Sequence, residues 1–151
     1  MTTWFEVKIQ YEKVMENGMN KRTKESYLFD ALSFTESEGK CIEEVTPFIS
    51  GEFTISDIKK AKYSEVFLSD EEAADKWFKC KLAFITLDEK SGMEKRTFTN
   101  VLVQAADLRD AVKKLDDGMK GTMADYEIVS VAETAIMDVY LYDNKSKRDN
   151  A

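Results

Sequence analysis

Two tryptophans, each in step with lysines, are the residues here with the clearest capacity for binding chemistry. Trp4 precedes Lys8 in WFEVK, and Trp77 precedes Lys79 and Lys81 in WFKCK. Alternate side chains of a strand share a face, so each indole falls on the same face as its lysines. The returning half of each hairpin adds Arg22 and Lys24 to the first copy and Arg96 to the second. Aromatic rings beside cations on an open sheet face stack bases and hold phosphates, as in many single-strand binders. The nucleic-acid site expected on these grounds comprises Trp4, Lys8, Arg22, Lys24, Trp77, Lys79, Lys81 and Arg96. A structural account competes with it. Tryptophan at a strand's first position often packs under a loop, and lysine is an ordinary solvent-face residue that also guards sheet edges. A third account gives the same face to a partner protein.

Catalytic chemistry is poorly provided for. The chain has no histidine, which removes the commonest general base and the commonest zinc ligand. Neither GxGxxG nor GxxxxGK occurs. Gly118-Met119-Lys120-Gly121-Thr122 comes closest to a phosphate cradle, but it follows a helix, away from the positive dipole end, and reads as a helix stop. Asp116-Asp117 sits on a polar stretch and reads as a solvated face. Asp70, Glu71 and Glu72 are adjacent carboxylates that diverge around a helical turn, so a solvated first turn is expected there rather than a metal site. No catalytic residue, metal or cofactor is expected, and the chain reads as a non-enzyme.

Composition narrows the class further. The 151 residues suffice for one good core, and 43% hydrophobic content can fill it without disulfide staples. A net charge of −7 argues against a general nucleic-acid binder, although net charge does not say which face carries which sign. No apolar run approaches a membrane helix and no basic segment leads an apolar one, so a cytoplasmic, membrane-free protein is expected. Cys41 and Cys80 occupy apolar positions and read as reduced core thiols.

The elements that must position these side chains repeat. After the tryptophan motifs, Gly18-Met19 matches Gly92-Met93, Lys21-Arg22-Thr23 matches Lys95-Arg96-Thr97, Leu28 matches Leu102, and Ala31 matches Ala105. Farther on, Ile55 matches Ile128 and Val66 matches Val139, with the offset moving between 73 and 74. The spacing implies an internal duplication. Phe5, Val7, Ile9 and Tyr11 alternate with polar residues, as do Phe78, Cys80, Leu82 and Phe84 with theirs, so each copy opens on a half-buried strand. Asn17-Gly18 predicts a type I′ turn, and return strands follow over about 19–32 and 94–106. Ser33 and Asp107 cap helices, the first carrying Cys41, Ile42, Val45, Phe48 and Ile49 as its apolar stripe. In the second, Val112, Leu115 and Met119 should face inward. Strands at 53–62 and 126–133 and short apolar pieces at 63–68 and 136–142 complete the copies.

The expected fold is α+β: a duplicated β-β-α-β(β) unit with a mostly antiparallel sheet and two helices packed on one face. The chain reads as a single pseudo-symmetric domain over 1–151. Repeat 1 spans about 4–68, an acidic joint 69–76 begins with a helical turn capped by Ser69, repeat 2 spans about 77–142, and a frayed tail covers 143–151. In each copy the first strand could sit between the two that the helix joins, and periodicity leaves open whether the two units share one sheet or pack face to face about a pseudo-dyad.

Three stretches carry a resemblance: SYLFDALSFTESEGKCIEEVTPFISGEFTISDIKKAKYSEVF, WFKCKLAFITLDEKSGMEKRT and GMKGTMADYEIVSVAET. They resemble an uncharacterised family of small proteins from Bacteroides-group bacteria and their phages, including crAss-like ones. That family has no assigned activity, so the resemblance implies a setting in phage or mobile-element genomes and no catalytic residue. Together with the Trp/Lys register, it leads to the expectation of a binding protein for single-stranded DNA in replication or recombination. The alternatives are a protein-interaction or self-assembling factor and a sequestering protein for a small symmetric anion such as a cyclic dinucleotide.

Overall fold

The computed structural model describes residues 3–142 and divides the chain into two compact units. Unit 1 contains β1 (Trp4–Val14), β2 (Asn20–Asp30), α1 (Phe34–Val45), β3 (Phe53–Ala61) and β8 (Ile136–Tyr140). Unit 2 contains β4 (Glu65–Phe67), β5 (Lys76–Leu87), β6 (Glu94–Ala105), α2 (Leu108–Gly118) and β7 (Asp125–Glu133). Each unit has a four-stranded, mostly antiparallel sheet, so the class is α+β. The orders are β3-β1-β2-β8 and, read from the corresponding edge, β7-β5-β6-β4. In each unit the first long strand, β1 or β5, lies between the two strands joined by the helix.

The unit boundaries differ from the repeat boundaries in the sequence. β4 follows β3 in the chain but pairs in parallel with β6, through Val66↔Leu102. β8 follows β7 but pairs in parallel with β2, through Leu28↔Val139. The short strand that follows β3 therefore completes the sheet of unit 2 and the one that follows β7 completes that of unit 1, and the chain passes between units at 62/63 and 134/135 rather than through a joint at 69–76. Ser69–Glu72 forms no helix. The Ser69 hydroxyl accepts from the Glu71 N–H at 3.2 Å, and the Glu71 carbonyl accepts from the Ala74 N–H at 3.1 Å, closing a single turn. The expected tail lies outside the described residues.

The hairpins explain the shifting offset. In the first, Met15 N–H donates to the Met19 carbonyl at 2.8 Å around a three-residue loop. In the second, Asp88 N–H donates to the Met93 carbonyl at 2.9 Å around four residues. The extra residue is returned between helix and third strand, where unit 1 inserts a short 3-10 turn, Thr46–Phe48. Asn17-Gly18 is not a type I′ turn. Gly18 has φ +81° but no described non-glycine residue has positive φ. A type I′ turn needs two such residues, whereas this three-residue loop needs one.

Each sheet buries one face beneath its own helix. In unit 1, Val7, Ile9, Tyr27 and Phe29 meet Cys41, Val45 and Ile49 of α1 and the segment after it, with Tyr140 of β8 stacked on Phe29 at 4.9 Å. In unit 2, Phe78, Cys80, Leu82, Val101 and Val103 meet Ala111, Leu115 and Met119. The predicted stripes were too wide. Ile42 and Phe48 are exposed, and Ala111, rather than Val112, is the fully buried residue in its turn. Both caps form as expected: Ser33 Oγ accepts from Glu36 N–H at 3.1 Å and Asp107 Oδ1 from Asp110 N–H at 2.8 Å. Gly121, at φ +88°, takes the left-handed position after α2. Gly118 is glycine for another reason: a Cβ there would lie 2.9 Å from the Phe67 ring. Both cysteines are free and buried. Burial pushes the Cys41 thiol up to about 12 and the Cys80 thiol up to about 11, so neither forms the nucleophilic thiolate near neutral pH.

Candidate functional site

Strand parity puts all eight expected residues on the sheet faces turned away from the helices, but it does not make all eight accessible. Trp4, opposite Asp30 of β2, is 6% exposed; Trp77, opposite Gln104 of β6, is 3% exposed. A stacking platform must offer a ring face to its ligand, so the expectation that these indoles stack bases is corrected. The reason is that these faces are themselves apolar at the tryptophan end. Leu28 and Leu102, beside Val139 and Val66 in the parallel pairings, are fully buried there. Alternation in β1 and β5 shows which way the indoles point and leaves their covering undetermined.

The cations lie farther along the same strands. In unit 1, Lys8 is half-buried opposite Ser26, while Arg22 and Lys24 are exposed opposite Glu12 and Gln10. In unit 2, Lys79, Lys81 and Arg96 are exposed. The structure brings Lys81 and Arg96 together around a residue that the sequence reading passed over. Phe98, opposite Ala83, is 52% exposed. Lys81 Nζ lies 4.6 Å from its ring centroid and the Arg96 guanidinium carbon 5.6 Å, both within cation–π range. Arg96 also forms a 2.9 Å ion pair with Glu127 of β7, both side chains being about half exposed. A pair in that setting is worth only ~0–1 kcal/mol, so an arriving anion can displace the carboxylate at little cost.

This cation–ring–cation group on β5 and β6 can stack a planar base and hold the phosphates beside it. Its counterpart in unit 1 lacks the ring, because Lys24 occupies the place of Phe98, and Arg22 there lies opposite Glu12. The signal was in the sequence. Phe98 follows Arg96 by two residues on a strand and so shares its face, where an apolar ring is out of place on a solvated surface.

A second pair of lysines is structural. Lys114 Nζ meets Asp110 at 3.0 Å, Ser69 Oγ at 3.0 Å and Glu71 at 3.1 Å, and so holds the chain where it leaves β4. Lys40 Nζ likewise reaches the carbonyls of Asp30 at 2.9 Å and Tyr142 at 3.4 Å, and holds the chain beyond β8. Burial acts to lower the Lys114 pKa, but Asp110 and Glu71 outweigh it and raise it. A cleft of about 390 Å³ beside β4, lined by Val66, Phe67, Gln104 and Lys114, therefore presents a lysine already committed to three partners. An open cleft of about 510 Å³ in unit 1, lined by Tyr11, Glu12, Arg22, Glu52 and Phe53, mixes charges of both signs with apolar rings. Among the described residues, no three His, Cys, Asp or Glu side chains are grouped to hold a metal, and no helix is long and apolar enough to cross a membrane.

Residues 3–142 match the family model described as a domain of unknown function (DUF4494). No curated protein matches the chain.

Proposed function

We propose that this chain, which belongs to the DUF4494 family of unknown function, is a non-enzymatic binding protein for single-stranded nucleic acid. The observation that carries the reading is Phe98, half exposed between Lys81 and Arg96 on an open sheet face. Phe98 takes the stacking role first expected of the tryptophans, and Lys79, Lys81 and Arg96 meet phosphates. The exposed cations of β2, Arg22 and Lys24, supply a further sequence-independent contact in unit 1. The setting implied by the resemblance, replication or recombination of a phage or mobile element, belongs to the proposal.

Anisotropy of a labelled single-stranded oligonucleotide tests it. Binding should weaken with salt, with a log–log slope of roughly −2 for three phosphate contacts. Phe98→Ala should weaken binding by about 5- to 150-fold, the usual range for one lost stacking platform. Lys81→Ala should reduce the slope by about 0.7. No salt-dependent binding at low ionic strength would sink the reading.

A specific observation also favours a protein-interaction reading. Beyond their short parallel partners, β2 and β6 each have a stretch of edge with no strand beside it among the described residues. Light scattering of the pure protein separates self-assembly from capture of a nucleic acid.

A further inference from the structure

The open edge of β6 has a definite length, polarity and side-chain pattern. β4 covers only Val101–Val103, and Ser64 caps the Asn100 carbonyl, its N–H donating at 2.8 Å and its hydroxyl at 3.2 Å. From Glu94 to Thr99, no described strand lies on that side. The hydrogen bond to Asn100 shows that even-numbered residues of this stretch turn their backbone groups outward. Odd-numbered ones turn toward β5, as the contact of Thr86 Oγ1 with the Lys95 carbonyl illustrates. Glu94, Arg96 and Phe98 therefore present free N–H and C=O groups to an added strand.

We infer that β6 pairs antiparallel with β6 of a second copy of this chain, about a two-fold axis passing beside Thr97. In that register Arg96 of one copy and Phe98 of the other form a mutually hydrogen-bonded pair, and the symmetry makes the pair twice. Four backbone hydrogen bonds form, and each guanidinium lies across from the partner copy's ring on one face. Thr97 meets Thr97 at the centre as a non-hydrogen-bonded pair, and Lys95 lies opposite the neutral Thr99. No like charges are directly opposed. The interface is isologous and closes on itself, so it gives a dimer rather than a filament.

The equivalent edge of β2 rejects the same arrangement. There the two-fold register about Thr23 would set Arg22 against Lys24 twice, an opposition of like charges. Lys21 would face Glu25, whose carboxylate also accepts from the Tyr27 hydroxyl at 3.2 Å, but the Arg22–Lys24 oppositions lie at the two hydrogen-bonded pairs nearest the axis. One exchanged residue, Lys24 against Phe98, makes one edge self-repelling and the other self-complementary. Edge pairing leaves the sheet faces uncovered, so the proposed binding face stays open in the dimer.

The test uses the full chain without nucleic acid, so its outcome is independent of the binding proposal. Light scattering across the micromolar to millimolar range should show the mass double. Phe98→Lys, which gives β6 the residue found in β2, should hold the protein at monomer mass with an unchanged circular-dichroism spectrum. Thr97→Cys reports the register without relying on that variant. Facing α-carbons in a non-hydrogen-bonded pair are about 4.5 Å apart, within disulfide range, and both native cysteines are buried. Mild oxidation should crosslink Thr97→Cys into a dimer and leave Lys95→Cys and Thr23→Cys uncrosslinked. A wild-type monomer at every concentration, or crosslinking of Lys95→Cys or Thr23→Cys as readily as Thr97→Cys, would overturn the proposal.

Discussion

Lys24 of β2 and Phe98 of β6 hold corresponding places in two sheets of the same strand order, and between them they divide the chemistry of the two units. Lys24 shares its face with Lys8 and with Arg22, itself opposite Glu12, a charged surface without a ring. Around Phe98 stand Lys81 and Arg96, cations with one. Similar contrasts run through the cores. Cys41 lies where unit 2 has Leu115, both fully buried. Tyr140 stacks on Phe29 in unit 1, while the corresponding Phe67 closes on Gly118 in unit 2. Asp30, a carboxylate, lies where unit 2 has the neutral Gln104. One backbone plan thus tolerates different solutions wherever packing and charge are met locally.

The largest test of this comparison lies in the cores. Leu115→Ala should cost ~2–5 kcal/mol, because the leucine fills the helix–sheet seam and little can collapse into its place. Cys41→Ala, at the matching position of unit 1, removes one small apolar group and should cost about 1 kcal/mol. Denaturant melts measure both. Equal losses would break the view that unit 2 depends on a large residue where unit 1 does not.

A smaller difference is expected from the lysines. Lys114→Met removes three partners, whereas Lys40→Met removes two carbonyl contacts, a 3.6 Å ion pair with Glu36 and a contact with the Tyr142 ring. Lys114→Met should cost ~1.5–3 kcal/mol, in line with hydrogen bonds to charged groups. It should also speed amide exchange in β4. Lys40→Met should cost less, and faster exchange in β8 but not in β4 after Lys114→Met would reverse the assignment.

The smallest effect concerns acid. The Ala106 N–H and Lys114 hold the Asp110 carboxyl below its ordinary value of 3.8. Its contribution to stability is therefore full above that value and is lost as pH falls through the lower folded pKa. Burial pushes Asp30 above 3.8, against the Tyr142 N–H and Lys40. It therefore costs stability at neutral pH, and the cost fades as pH falls through the raised value toward 3.8. Asp110→Asn should lower the melting temperature at pH 7 and Asp30→Asn should raise it slightly. The two shifts should shrink together in acid. A lower melting temperature for Asp30→Asn at pH 7 would contradict this sign.

Much of the fold was legible because its causes are local. Ser33 and Asp107 cap helices through residues three positions on, and both do so as the spacing indicates. The alternations at Phe5–Tyr11 and Phe78–Phe84 put the correct face against each helix. The candidate site was legible only in part. Lys81 and Arg96 were found from strand parity, but the ring they flank was sought at Trp77, in a motif, rather than at Phe98, a lone aromatic on a polar face. The tryptophans misled because period-two alternation separates two faces without saying which of them meets water.

The chain by itself therefore determined its main elements, the caps of both helices and the faces on which the residues of β1 and β5 fall. These depend on neighbours within a few positions, and the backbone geometry transmits them directly. Only the tertiary structure decided that 65–67 completes the sheet of unit 2 and 136–140 that of unit 1. It also decided that the indoles are covered while Phe98 is not. A strand's partner and a side chain's exposure depend on residues far away in sequence, and a three- or five-residue strand pairs wherever an edge of matching pattern is within reach.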